Sequence, residues 1–149
     1  MGNTLFLSSY ATKNCGVYSQ KYNGVKQDPP LKQLPPQYST VKAESGKEFN
    51  IKIIDFVDEN GTKMKSYKIA DFNNDSKFDE ESETYQVDYY KNRVGNCRCE
   101  GVIIDRYTEK NGVVKKKVLE FDKENNLLNK TITESSEISL FDVKNGITF

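Results

Sequence analysis

The chain has no histidine and no tryptophan among its 149 residues. Without an imidazole it has no Ser-His-Asp triad, no Cys-His dyad, no His-ligated zinc or haem, and no histidine pH switch. It also lacks a charge excess, with 22 Lys plus Arg against 22 Asp plus Glu. A balanced chain has no net field for holding a nucleic-acid backbone, so nucleic acid is not expected as a partner. Long apolar runs are missing too. No stretch approaches the roughly 20 apolar residues of a membrane helix. The apolar run near the N-terminus is only Leu5-Phe6-Leu7 and has no basic residue before it. A standard signal peptide needs about 7–15 apolar residues after a positive region. The expected location is therefore cytoplasmic or reached by non-classical export. Met1-Gly2 suggests myristoylation, but Phe6 stands where Ser or Thr is wanted.

Cysteine is scarce, with Cys15, Cys97 and Cys99 only. An odd count leaves at least one thiol unpaired within the chain. Cys97 and Cys99 fall on one face if their segment is a strand. They can be read as a metal or redox pair, as buried thiols, or as candidates for a disulfide with Cys15 in an oxidising setting. Too few soft ligands remain for a usual four-ligand zinc site.

Proline is confined to the first part of the chain, in Asp28-Pro29-Pro30 and Leu34-Pro35-Pro36. Residues 1–45 carry five Lys and two acids, net +3, which leaves residues 46–149 at net −3. Pro-Pro pairs favour extended polyproline geometry and cannot join a central strand. Residues 1–45 are thus read as an irregular arm. Pro30 and Pro35 are not spaced as a PxxP ligand.

What the chain does have is β patterning. With 36% hydrophobic residues the core must be thin. The 9 Tyr and 8 Phe suit a sheet on which Tyr rings pack while their hydroxyls stay wet. Period-two alternation marks Phe49/Ile51/Ile53, Tyr67/Ile69 and Tyr85/Val87/Tyr89, and Val102-Ile103-Ile104 reads as a more buried strand. Val114–Phe121, Ile132, and finally Ile138, Leu140 and Val143 complete the set. Glu80–Lys91 has helical composition, but its alternation favours a strand. Asn60-Gly61, Asn111-Gly112 and Asn145-Gly146 each offer positive-φ residues for a hairpin turn. Phe56–Gly61 lies over Tyr107–Gly112, and Ala70–Asp75 over Phe121–Asn126, at an offset of 51. The expected architecture is mostly β: an antiparallel meander or sandwich of hairpins over residues 46–149, with a hairpin unit used twice.

One segment has ligand spacing. In Asp71-Phe72-Asn73-Asn74-Asp75-Ser76-Lys77-Phe78-Asp79, side-chain oxygens fall at relative positions 1, 3, 5 and 9. A tight loop of this kind can wrap hard oxygens around Ca²⁺, which takes 6–8 of them at about 2.3–2.6 Å. The segment resembles the D-x-[DN]-x-[DN]-G calcium loops of EF-hands, dockerins and FG-GAP/VCBS repeats. That resemblance implies Asp71, Asn73, Asp75 and Asp79 as side-chain ligands and Lys77 as a carbonyl ligand. Strand patterns on both sides favour the FG-GAP/VCBS type over the EF-hand. Ser76 replaces the usual Gly, and Ser82 stands where an EF-hand has its bidentate Glu, so Glu81 or Glu83 would have to substitute. The competing reading is a solvated Asn/Asp turn. Residues 121–131 resemble the YD repeat of Rhs-type shells, with Asn125 in the place of Gly.

Lys115-Lys116-Lys117 reads as a solvated strand face beside Glu120 and Asp122 rather than a nucleic-acid patch. The acids at 79–83 would serve glycoside chemistry only if two were opposed in a cleft. There is no Gly-rich phosphate loop, GxSxG elbow or HExxH. The sequence therefore points to a non-catalytic β-rich binding module with a structural Ca²⁺ loop and a protein partner. The alternatives are a metal-independent interaction module of effector, immunity or adaptor type and, further off, a carboxylate-dependent enzyme.

Overall fold

In the computed structural model, residues 30–93 and 100–146 are described. Cys15, Cys97 and Cys99, with every reading of them, lie outside those residues. The described chain forms eight strands and one short helix: β1 Lys32–Gln33, β2 Gln37–Lys42, β3 Glu48–Val57, β4 Lys63–Ala70, β5 Thr84–Arg93, β6 Gly101–Lys110, β7 Val113–Asp122, β8 Leu127–Ser135 and α1 Leu140–Lys144. All the strands belong to one sheet in the order β1-β3-β4-β5-β6-β7-β8, with β2 also on β3. Every pairing is antiparallel. Of the two arrangements expected, this is the single-sheet meander.

The alternating segments become strands in the expected places, including Glu80–Lys91, whose second part is β5. The β6–β7 hairpin turns on two residues, Asn111 at φ 54° and Gly112 at φ 78°. Two positive φ values match the right-handed twist of the flanking strands. The β3–β4 turn is longer. There the Asp58 carboxylate accepts N–H bonds from Asn60 and Thr62 at 2.8 and 2.9 Å, and only Gly61 has positive φ.

Three expectations are corrected. The arm expected over residues 1–45 is not irregular up to 45. β1 pairs with Val57 and Phe56, and β2 pairs residue by residue with Ile53–Glu48. Pro35 and Pro36 interrupt this side without preventing it, because an edge strand needs only one row of hydrogen bonds, and Tyr38, Thr40 and Val41 favour extended backbone. The C-terminal segment is helical rather than β. Ser139 caps α1 by accepting from the Asp142 N–H, and the Asp142 side chain accepts from the Ser139 N–H, both at 3.2 Å. This reciprocal box and the three-residue spacing of Leu140 and Val143 outweigh the isolated apolar positions. As a result Asn145-Gly146 ends the helix, with Gly146 at φ 96°, and makes no hairpin.

Five residues cannot hold a helix in water unaided. α1 persists because Leu140 and Val143 pack into the core with Ile54, Tyr67, Ile69, Val87, Tyr107 and Val114. Burying each such aliphatic side chain contributes about 1.5–3 kcal/mol. Two of the tyrosines are drier than expected. Tyr67 and Tyr107 are only 6% and 2% exposed, and the hydroxyls of Tyr67 and Tyr89 donate to the helix carbonyls of Lys144 and Val143 at 3.4 and 2.7 Å. Burial, helped by the nearby charge of Glu80, pushes the Tyr67 phenol up to about 12, and burial raises Tyr89 further.

Candidate cation site

The β4–β5 loop starts from a fixed point. The Asp71 N–H donates to the Asn50 carbonyl of β3 at 2.9 Å, and the Ala70 N–H donates to the Glu83 carbonyl at 3.1 Å. Asp71 is 4% exposed. Its carboxylate folds the loop back on itself, Oδ1 accepting from the Asp75 N–H at 3.0 Å and Oδ2 from the Ser76 N–H at 2.9 Å. Such a tight return needs left-handed backbone, and Asn74 and Ser76 take φ of 57° and 66°. Asn tolerates this region readily, whereas Ser at the usual Gly position costs about 1–2 kcal/mol. On the outside of the loop, the Phe72 ring packs edge-on against Phe49 and Tyr85 at centroid distances of 5.2 and 6.2 Å.

Glu83 closes the loop from the other side. It is 6% exposed. Its Oε2 accepts from Phe72 and Asn73 N–H at 2.9 and 3.4 Å, and its Oε1 accepts from the Asp79 N–H at 2.9 Å. One side chain thus joins both ends of the Asp71–Asp79 segment. Carboxylate oxygens of Asp71, Asp75 and Glu83 lie within 4.8 Å of one another. Among the described residues, none of the three has a Lys or Arg nitrogen within ion-pair distance. The site therefore concentrates negative charge beside buried backbone, and a divalent cation is the chemistry that would neutralise it.

The sequence-derived ligands separate here. Asp71 and Asp75 come together. Asn73 sits beside them, its Oδ1 accepting from the Asp75 N–H at 3.3 Å. Lys77 donates its N–H to Asp75 Oδ1 at 2.9 Å. Asp79 is outside the carboxylate cluster. Its Oδ1 instead accepts from Glu81 and Ser82 N–H at 2.9 and 3.3 Å, and those bonds hold its carboxyl below the usual range. Of the two acids left to substitute, Glu83 is the one that enters. The signal for it was its position just before the alternating residues of β5, where the chain must return to the sheet. The acids at 79–83 point to different partners, Glu80 reaching Lys144 Nζ at 3.9 Å. The lysine run divides across both faces of β7, Lys115 meeting Glu134 at 3.8 Å and Lys116 lying over the Tyr107 ring at 5.6 Å.

No protein-family model matches the chain, and neither the curated proteins nor the solved structures contain a match. Among the described residues, no helix is long and apolar enough to cross a membrane.

Proposed function

We propose that the β4–β5 loop is a structural Ca²⁺ site in a non-catalytic β-rich binding module whose partner is a protein. Asp71, Asp75 and Glu83 supply carboxylate oxygens, and Asn73 supplies an amide oxygen. The observation that carries this reading is the convergence of three carboxylates within 4.8 Å, two of them buried. The placement of Asp71 and Asp122 at equivalent points after the β3–β4 and β6–β7 hairpins supports reading β3–β5 and β6–β8 as one unit used twice. A bound ion would stabilise the native loop because the unfolded chain does not bring these groups together. The gain is about 2.7 kcal/mol at roughly a hundredfold excess over Kd.

A second reading, the metal-independent interaction module, is favoured by the backbone N–H groups that already satisfy the Asp71 and Glu83 carboxylates. The melting temperature in EDTA and in millimolar Ca²⁺, for the wild type and Asp75→Ala, separates the two. The cation reading expects a rise of several degrees in the wild type and none in the variant. An unmoved wild-type melting point would leave the metal-independent module standing.

A further inference from the structure

The two edges of the sheet are built differently. On the β1–β2 side the edge is broken by Pro35 and Pro36, which lack N–H donors. A broken, proline-bearing edge resists pairing with another chain. On the other side β8 is nine residues long, contains no proline, and among the described residues pairs only with β7. Eight of its nine residues are exposed, and Ile132 is 46% exposed.

From the β7–β8 register, Lys130, Ile132 and Glu134 stand opposite Leu119, Lys117 and Lys115. These three β8 residues share the face opposite to the one that packs on α1, whereas Thr131, Thr133 and Ser135 share the α1 side with buried Val114. An antiparallel strand centred on Ile132 pairs each residue with the one equally far on the other side of that centre. If the second strand is another copy of β8, Ile132 meets Ile132 on the two-fold axis. Lys130 of each copy then meets Glu134 of the other, and Thr131 meets Thr133. Opposite charges and matched β-branched residues directly across a strand pair are the favourable cross-strand combinations. The self-complementarity comes from one sequence, as an isologous contact requires.

We infer that β8 is a self-association edge: two copies of this chain join β8 to β8, antiparallel and in register at Ile132, into one continuous sheet. This inference is independent of the cation reading. Because the contact is isologous, each β8 edge is used up by the other and the assembly closes at two chains. A single strand pair buries less than the about 800 Å² per partner of a standard interface, so the dimer is weak and concentration-dependent.

Sedimentation equilibrium in EDTA, from micromolar toward millimolar protein, is expected to show a mass rising from one chain toward two and no further. Lys130→Glu and Glu134→Lys each place like charges opposite one another twice per dimer and should each raise Kd about tenfold or more. The double reversal restores the opposite-charge pairs and should return Kd to within about fivefold of wild type. All these positions are exposed, so folding is retained, and circular dichroism checks this. Amide exchange in β8 should slow as concentration rises. A monomer at every concentration overturns the inference. So do masses beyond two chains, a dimer indifferent to the single reversals or unrestored by the double, and β8 amides that do not respond to concentration.

Discussion

The β4–β5 and β7–β8 loops begin alike, with an Asp at the end of a strand, and become different objects. Asp122 closes a short turn on its own. Its Oδ1 accepts from Glu124 and Asn126 N–H at 2.9 and 2.8 Å, its Oδ2 accepts from the Asn126 side chain at 3.1 Å, and Asn125 supplies the φ of 68°. Asp71 makes the same kind of return but shares its space with Asp75 and with Glu83 from the far end of the loop. The alternating Asp/Asn spacing thus builds a turn in both places. A cation-sized cluster arises only where a further buried acid arrives from outside the turn. The carboxylate that distinguishes the loops, Glu83, is also the one that holds the longer loop shut.

That contrast is broken most strongly at Glu83. Glu83→Ala leaves the Asn73 and Asp79 N–H groups without their acceptor and the Phe72 N–H with the Ala70 carbonyl alone, and should cost about 2–3 kcal/mol in urea unfolding. It should also abolish any Ca²⁺ response, whereas Asp75→Ala is expected to remove the response with little loss in EDTA. A Glu83→Ala protein as stable as wild type would mean that the side chain does not close the loop.

The shorter loop gives a smaller effect with its own pH signature. Asn126 N–H and side-chain bonds, with the Glu124 N–H, hold the Asp122 carboxyl below its usual range. A depressed native value means the stabilisation is present above the ordinary carboxylate pKa and disappears as pH falls through the native one. Asp122→Ala should therefore lower the denaturation midpoint at neutral pH by less than Glu83→Ala does, and leave the Ca²⁺ response intact. Its difference from wild type should close as pH drops toward about 2. A difference that persists in acid would remove the carboxylate from the explanation.

Ser76→Gly gives the smallest change. It relieves left-handed strain at φ 66°, but glycine gives back part of that as extra unfolded-state entropy. The net gain should be under about 1 kcal/mol by chemical denaturation. A loss of stability would show that the serine side chain contributes more than its backbone costs.

β3, β4 and β5 were legible from alternating residues, β6 from the continuous run Val102-Ile103-Ile104 and β7 from the apolar residues of Val114–Phe121, whereas β8, exposed along almost its whole length, showed only Ile132. Asn111-Gly112 was legible because two adjacent positive φ values have few other uses. β2 was hidden by the prolines beside it, which report on the edge rather than on the six residues between Gln37 and Lys42. α1 was hidden because its signal is a pair of polar caps, Ser139 and Asp142, while its apolar residues are too few to show a period. In the site, Asp71, Asn73 and Asp75 could be read from spacing within one turn. Asp79 could not be placed, because a carboxylate in a loop chooses between an ion and its own backbone N–H groups by conformation. Glu83 acts across eleven residues to Phe72, a separation at which spacing alone fixes no distance.

The attachments of α1 have a consequence for the order of folding events. From β3 to β8 each strand pairs with its sequence neighbour, so the meander closes short loops at little entropic cost. The helix is held by bonds that span far more chain: 31 residues from Leu140 to Glu109, 54 from Val143 to Tyr89, 64 from Lys144 to Glu80 and 77 from Lys144 to Tyr67. It has nothing to dock on until Tyr67, Tyr89 and Tyr107 already stand side by side. α1 is thus expected to act as a latch added late: Val143→Ala should speed unfolding with little change in the folding rate, and a chevron in which it mainly slows folding would place the helix in the early sheet instead.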